Sequence, residues 1–162
     1  MKQIVLSLLV DNNPGVLARV ASLFSRRGYN IDTITAGATH NSKYTRITVT
    51  VSGDDRILEQ IRNQIAKLED VRRIIELEDK QSVCRELVLV KVLADKDEKQ
   101  AIIAIADIFR AKIVDVALNS LIIELTGNQN KLDAFLTLMD DFEILEMVRT
   151  GLTGLERGIT TL

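Results

Sequence analysis

The spacing of apolar and polar residues along the chain predicts a series of strands and helices. Residues 3–10 form an apolar run of strand length, and residues 44–52 alternate between apolar side chains and the polar Arg46, Thr48 and Thr50. This alternation predicts a strand with one face on the core and the other in solvent. With helical spacing in between, the first half of the chain predicts the order βαββαβ, with strands at 3–10, 31–38, 44–52 and 71–77.

The second half of the chain repeats this pattern in register. An offset of 74 residues carries the apolar positions of the third strand, the second helix and the fourth strand onto other apolar positions. The pairs are Ile47 and Leu121, Val49 and Ile123, Val51 and Leu125, Leu58 and Leu132, Ile61 and Phe135, Ile65 and Met139, Leu68 and Phe142, Val71 and Leu145, and Ile74 and Val148. The repeat therefore predicts two domains of the same fold.

Two βαββαβ units predict an α+β protein with two ferredoxin-like domains in tandem. Each domain should have an antiparallel four-stranded sheet with both helices on one face. We expect one domain at 1–78, a polar linker at 79–84, and a second domain at 85–162 that ends in an irregular or short-helical tail. Units of this size with few aromatic residues commonly need a neighbour to complete burial, so we expect pairing within the chain and between chains.

The turn before the first helix is the best candidate for a small-molecule site. Asn12 and Asn13 offer capping side chains, Pro14 suits the first helical position, and Gly15 leaves the backbone bare as the helix opens. Free N–H groups from Gly15 to Leu17, together with the positive end of the helix dipole, predict a cradle for a carboxylate. The same residues are also typical of any well-capped helix, so the turn alone leaves both interpretations open.

The helix that follows this turn and its repeat in the second half differ at their starts. The first helix is expected to bury Val16, Leu17, Val20, Ala21 and Phe24 and to end at Gly28, after Arg26 and Arg27. The corresponding stretch at 94–99, ADKDEK, has no glycine or proline and places acidic side chains where a carboxylate would bind. The repeat therefore predicts the fold twice and the candidate site once, because like charge would repel the ligand.

Composition argues against several classes of function. The chain has 162 residues, 46% of them hydrophobic and 4% aromatic, with a formal net charge of −2. Neither half is basic enough for nucleic-acid binding, and the predicted third strand lacks the aromatic residues with which RNA-binding βαββαβ modules stack bases. With one histidine and no positioned nucleophile or carboxylate pair, the chain is not expected to be an enzyme.

Single residues and the N-terminal run add little chemistry. Cys84 is the one cysteine, which excludes an internal disulfide, and is expected in a strand; His40 is expected in a loop, with no metal-ligand spacing around it. The first ten residues are interpreted as a strand and not a signal peptide, because Asp11 follows them at once. No apolar run approaches the length of a membrane span, so we expect a soluble, cytoplasmic protein that binds neither membranes nor metal ions.

The motifs of the first half resemble those of a known module. D-N-x-P-G-x-L at 11–17 and a helix ending R-R-G-x-N-I at 26–31 are similar to the ACT domain, a regulatory amino-acid-binding module. With R-E-L-V-L-V-K-V at 85–92, I-F-R-A-K-I-V-D-V at 108–116, and R-T-G at 149–151 followed by L-E-R-G at 155–158, nearly the whole chain resembles the small, regulatory subunit of acetohydroxyacid synthase, also called acetolactate synthase. One departure is Asp141, where a glycine would be expected.

This resemblance implies a function in branched-chain amino acid biosynthesis. It implies a chain without catalysis or cofactor of its own, which activates a catalytic subunit and makes it sensitive to feedback inhibition by valine. That catalytic subunit would carry thiamine diphosphate, FAD and Mg²⁺ and join two pyruvates, or pyruvate and 2-ketobutyrate. Family members pair their first domains as a homodimer, with the effector between protomers. A stand-alone amino-acid sensor for another partner is the alternative, because it would share the same site.

Carried over residue by residue, the resemblance implies an effector site of eight residues. They are Asn12, Asn13, Pro14, Gly15, Val16 and Leu17 at the turn, with Asn30 and Ile31 supplied across the interface. The turn would bind the α-carboxylate, and the side-chain oxygen of Asn12 or Asn30 or a strand-end carbonyl would accept from the ammonium group. Ile31 with Val16 or Leu17 would contact the aliphatic side chain. The competing interpretations are that Asn30 is a turn residue and that Ile31 belongs to the core.

Overall fold

The computed structural model describes residues 1–162, which form two compact units. The first unit contains residues 1–84 together with residues 151–162, and the second contains residues 85–150. The C-terminal tail therefore groups with the first unit, whereas the sequence-based division places it with residues 85–150 in one domain. None of the helices is long and apolar enough to cross a membrane.

The first unit has the order βαββαβ. Its elements are β1 (Lys2–Asp11), α1 (Val16–Arg27), β2 (Ile31–Ala38), β3 (Tyr44–Gly53), α2 (Asp55–Ala66) and β4 (Val71–Glu76). The sheet has the strand order β2-β3-β1-β4, and all of its neighbours are antiparallel. Strands β2 and β4 therefore form its edges.

One face of this sheet carries the core. Alternate residues of β1 and β3 lie on the same face because the side chains of a strand point to opposite sides in turn, and helices α1 and α2 pack against that face. The buried core consists of Ile4, Leu6, Leu8, Val10, Val16, Val20, Leu23, Phe24, Ile47, Val49, Val51, Leu58, Ile61 and Ile65. Within α1 the buried residues are those three and four positions apart, which is the helical period.

The second unit repeats this arrangement. Its elements are β5 (Ser82–Leu93, of which residues 82–84 belong to the first unit), α3 (Lys96–Phe109), β6 (Lys112–Ala117), β7 (Ser120–Gly127), α4 (Gln129–Met139) and β8 (Ile144–Arg149), in the strand order β6-β7-β5-β8. The buried positions at Leu121, Ile123 and Leu125 match Ile47, Val49 and Val51 of the first unit. The prediction of an α+β protein built from two antiparallel ferredoxin-like folds is therefore confirmed.

The outer face of the first sheet differs from the prediction. Thr48 and Thr50, expected to face solvent, are buried. The reason is the C-terminal segment, which lies on this face: the Thr35 hydroxyl donates to the carbonyl of Leu152 at 3.3 Å. Thr48 and Thr50, which were predicted to be exposed to solvent, are thus covered by a segment from the C-terminal end of the sequence.

The linker and the tail also contain more regular structure than the sequence predicts. Residues 82–84, expected in a polar linker, are the start of β5. The tail, expected to be irregular or short-helical, contains β9 (Thr153–Glu156), which pairs with β5. Cys84 lies in β5 and His40 lies in the loop between β2 and β3, and no three His, Cys, Asp or Glu side chains lie together as metal ligands.

Candidate functional site

The turn between β1 and α1 is built on a glycine in the left-handed conformation. Gly15 has φ +84° and is the N-cap of α1, so the helix begins at Val16. The expectation that Pro14 is the first helical residue is therefore wrong: Pro14 lies in the turn itself. A positive φ at Gly15 reverses the chain sharply just before the helix, and an L-residue adopts that angle only with strain.

This turn leaves backbone donors open at the start of the helix. The N–H of Val16 donates to the carbonyl of Asn13 and that of Arg19 donates to the carbonyl of Gly15. The N–H groups of Gly15, Leu17 and Ala18 have no acceptor in the chain, because no side chain caps α1. The N-terminal end of the helix therefore presents three donors and the positive end of its dipole on an exposed surface.

Asn12 has a different local role from the one that its sequence position suggested. Its side-chain amide donates to the carbonyl of Ser42 at 3.0 Å, and its Oδ1 accepts from the hydroxyl of Thr45 at 3.1 Å. Its backbone N–H donates to the carbonyl of Lys43. The expectation that Asn12 or Asn13 caps the helix is thus wrong, and Asn12 instead ties the turn to the β2–β3 loop.

Two ion pairs surround the turn. Arg72 binds Asp11 through two hydrogen bonds of 2.7 Å, and Arg19 binds Asp70 at 2.6 Å. The hydrogen bond from Arg72 lowers the pKa of the Asp11 carboxyl below its usual value. Arg19 also lies against Gly15, since a Cβ at Gly15 would be 3.0 Å from Nη1 of Arg19. The turn is therefore bordered by a guanidinium group that sequence reasoning did not identify.

Replacing Arg72 should change the titration of Asp11. In Arg72→Gln the carboxyl of Asp11 loses its bidentate partner, so we expect its pKa to rise toward 3.8. An NMR titration that resolves the carboxyl signal of Asp11 measures this shift. The sign follows from linkage: a depressed carboxyl pKa stabilises the fold above the unfolded-state pKa, and this contribution is lost as the pH falls through the folded-state value. Arg73→Gln is the control, and an equal shift in both variants would contradict the assignment.

Asn30 and Ile31 lie at the other end of α1. The helix has 12 residues and is therefore roughly 18 Å long, so one chain does not bring these two residues to the turn at Gly15. The side-chain amide of Asn30 donates to Asp32 at 3.2 Å, which leaves its own oxygen free to accept. Ile31 is half-buried and packs against the edge of the core.

Asp32 adds a carboxylate beside Asn30. Burial opposes its ionisation, but hydrogen bonds from Ser52, Gln3 and Asn30 outweigh that effect and lower the pKa of Asp32. It therefore stays negative and adds to the attraction for a cation at this end of the strand. The sequence alone did not identify Asp32 or Arg19 as site residues. Their positions could have indicated them, because Asp32 is next to Ile31 and Arg19 lies one helical turn after Gly15.

The two apolar candidates at the turn differ in burial. Val16 belongs to the core, whereas Leu17, which was expected to be buried, has 48% of its surface exposed; Ala21 is exposed as well. On the edge strand β2, Ile34 is 36% exposed. Leu17 is therefore the residue at the turn that can contact an aliphatic ligand, and Leu17 and Ile34 leave apolar surface open on α1 and β2.

The second unit closes the corresponding turn with its own side chains. Asp95 is the N-cap of α3, and its carboxylate accepts from the N–H groups of Asp97 and Glu98 at 2.9 and 2.8 Å. Glu98 in turn accepts from the N–H of Asp95 at 2.9 Å, which completes a capping box. Donors that are open in α1 are satisfied in α3.

Comparison with known proteins matches the two halves of the chain to two family models. Residues 6–73 match the family model described as AHAS small subunit-like ACT domain, and residues 85–158 match the one described as small subunit of acetolactate synthase. The chain belongs to the acetolactate synthase small subunit family. The acetolactate synthase small subunit of Mycobacterium bovis is 47% identical over 153 residues, which cover 94% of this chain and 91% of that protein.

Two further members of the small subunit family agree with this chain in sequence and in structure. A probable acetolactate synthase small subunit of Methanothermobacter thermautotrophicus is 47% identical over 159 residues, covering 98% of this chain and 95% of that protein. The crystal structure of the acetolactate synthase small subunit from Thermotoga maritima has a TM-score of 0.89 and 38% identity, covering 99% of this chain and 100% of that one. The family resemblance stated from the motifs is confirmed, and the ACT match contains all eight candidate site residues.

Proposed function

We propose that this chain is a regulatory subunit that binds valine at its N-terminal domain, residues 1–78, and controls a catalytic subunit of acetolactate synthase. The observation that carries the proposal is the open turn at Gly15, set against the closed turn at Asp95. The α-carboxylate of an amino acid would accept from the N–H groups of Gly15, Leu17 and Ala18. Each such bond to a charged acceptor contributes roughly 1.5–3 kcal/mol, which is more than a neutral hydrogen bond contributes.

The site is completed by a second copy of the chain. Asn30 and Ile31 of one protomer cannot reach the turn of the same protomer, so they would contact effector bound at the turn of its partner. The edge strand β2 and the exposed Leu17 and Ile34 support a homodimer through the N-terminal domains, because unpaired strand edges and exposed apolar side chains favour association.

The charges around the turn support one orientation of the ligand. The positive helix end and Arg19 favour the carboxylate at the turn, while the oxygen of Asn30 and the carboxylate of Asp32 favour the ammonium group at the partner's strand end. Leu17 and Ile31 would contact the aliphatic side chain. Burying one more methylene changes the binding free energy by about 0.8 kcal/mol, which is roughly fourfold in affinity. Isoleucine and leucine should therefore also bind unless their shape excludes them.

The catalytic chemistry would belong entirely to the partner. As the family implies, thiamine diphosphate, FAD and Mg²⁺ would be held by the large subunit, and this chain would contribute activation and feedback inhibition. The chain itself brings no metal-ligand cluster to the complex. A stand-alone sensor for another protein would use the same turn, so the two functions are separated by the partner and not by the site.

The test is a reconstitution with the matching catalytic subunit. We expect this chain to raise the rate of acetolactate formation, and valine then to lower the rate of the complex in a saturable way. The catalytic subunit alone, titrated with valine, is the control and should not respond. If the rate is the same with and without this chain, the proposal of a regulatory subunit fails and the stand-alone sensor becomes the better one.

A further inference from the structure

The C-terminal strap, which we define as residues 151–156, lies on the outer face of the first sheet. The hydroxyl of Thr35 donates to the carbonyl of Leu152, and Leu152 as a residue is 8% exposed. Gly151 has φ +86°, and a Cβ there would lie 2.8 Å from Cβ of Thr33. The strap therefore meets strand β2 at two side chains and approaches it as closely as a glycine permits.

The other end of the strap is fixed to β5. Strand β9 pairs with β5, and just beyond the strap the N–H of Arg157 donates to the carbonyl of Gln81 at 2.8 Å. A Cβ at Gly154 would lie 2.6 Å from Sγ of Cys84, so the backbone is close there too. The strap thus bridges β2 and the start of β5 within the first unit.

The point of contact on β2 is next to the proposed effector residues. Strand β2 begins at Ile31, and Thr33 follows two residues later, on the other side of a β-bulge. Ile31 and Thr33 pair with the adjacent residues Val51 and Thr50 of β3, and this shared partner strand couples the positions of the two β2 residues. An effector that fixes Asn30 and Ile31 would therefore also fix the surface on which the strap docks.

Docking of the strap also covers polar atoms at a cost. The hydroxyls of Thr33 and Thr50, which face each other across β2 and β3, are buried without a hydrogen-bond partner in the chain. Burying a hydroxyl without a partner is unfavourable, so it opposes docking of the strap. The docked arrangement therefore combines favourable contacts at Gly151 and Leu152 with the unfavourable burial of these two hydroxyls.

We propose that docking of the strap on β2 and binding of the effector are thermodynamically linked. This inference rests on the proposed valine site and deepens it: valine that fixes the start of β2 favours the docked strap, and the docked strap raises the affinity for valine. Linkage of this kind is reciprocal, so each event must strengthen the other by the same factor.

The test is the variant Gly151→Ala in the full-length dimer. Its Cβ would collide with Thr33 and release the strap, so we expect the Kd for valine, measured by calorimetry, to rise roughly fivefold or more. Gly158→Ala is the matched control: Gly158 has φ +77° in the same tail, but a Cβ there meets nothing within 4 Å. Equal affinities in a folded Gly151→Ala and in the wild type would overturn the linkage.

A second measurement needs no mutation. Saturating valine should slow deuterium exchange of the amides in residues 151–157 of the wild-type protein, because it favours the docked strap. Exchange unchanged by bound valine would overturn the linkage even if Gly151→Ala does not fold. A wild type that binds no valine would overturn the proposed function itself, together with the linkage that rests on it, so the two failures are distinguishable.

Discussion

Gly15→Asp should abolish the response to valine while leaving activation of the catalytic subunit intact. The substitution adds a Cβ at a backbone angle of +84°, only 3.0 Å from Arg19, and places a carboxylate where the carboxylate of the effector would bind. Losing even one charge-assisted hydrogen bond of about 1.5–3 kcal/mol weakens binding by roughly ten- to a hundredfold. Calorimetry with valine and the rate of acetolactate formation in the reconstituted complex measure the two effects separately.

Two further variants divide this effect into its causes. Gly15→Ala adds the strain and the Cβ without the charge, and should therefore retain part of the affinity for valine. Gly158→Asp adds the same charge at another glycine of positive φ, far along the sequence and with nothing within 4 Å, and should bind valine like the wild type. Loss of activation together with inhibition in Gly15→Asp would mean that the turn has a structural role instead of a ligand-binding one.

The repeated fold could be predicted from the sequence because its determinants are local. Periodic apolar positions such as Ile47 and Leu121 report which face of a strand is buried, and that signal needs no knowledge of distant contacts. The same holds for the end of α1, where Gly28 adopts the left-handed conformation expected of a C-terminal cap. The element order and the ferredoxin-like sheets therefore follow from the residues themselves.

What could not be predicted depends on contacts between distant parts of the chain. Thr48 and Thr50 belong to an alternating pattern typical of a wet face, but the strap covers that face, and the bond between Thr35 and Leu152 joins residues 117 positions apart. Strand β9 likewise exists because β5 offers it a partner. A four-residue strand has too little local propensity to be recognised without that partner.

A turn between the first strand and the first helix could be predicted from the sequence, but its detailed conformation could not. Glycine tolerates both helical and left-handed angles, so the sequence could not decide whether α1 starts at Pro14 or after Gly15. The amide of Asn12 had several acceptors and donors within reach once the β2–β3 loop was folded, and it uses Ser42 and Thr45. The exposure of Leu17 depends on what lies beside α1, which a helical period alone does not report.

Glu86 and Arg149 form the most buried ion pair of the second unit. Glu86 is 4% exposed and Arg149 is 30% exposed, and two hydrogen bonds of 2.9 Å join them. The hydrogen bond with Glu86 raises the pKa of Arg149, so the guanidinium stays charged. Arg149→Met should destabilise the protein by about 3 kcal/mol, because it leaves a buried carboxylate without its partner. Unfolding by denaturant, followed through the transition of the second unit, measures this loss in the free energy of unfolding.

A double-mutant comparison separates the pair from its environment. Glu86→Leu combined with Arg149→Met removes both charges and should recover much of the stability that Arg149→Met alone loses, because no unpaired charge remains buried. The exposed pair of Lys91 and Glu146 is the control, and Glu146→Gln should change stability by less than about 1 kcal/mol. If Arg149→Met is as mild as that control, the ion pair of Glu86 and Arg149 is not what stabilises the second unit.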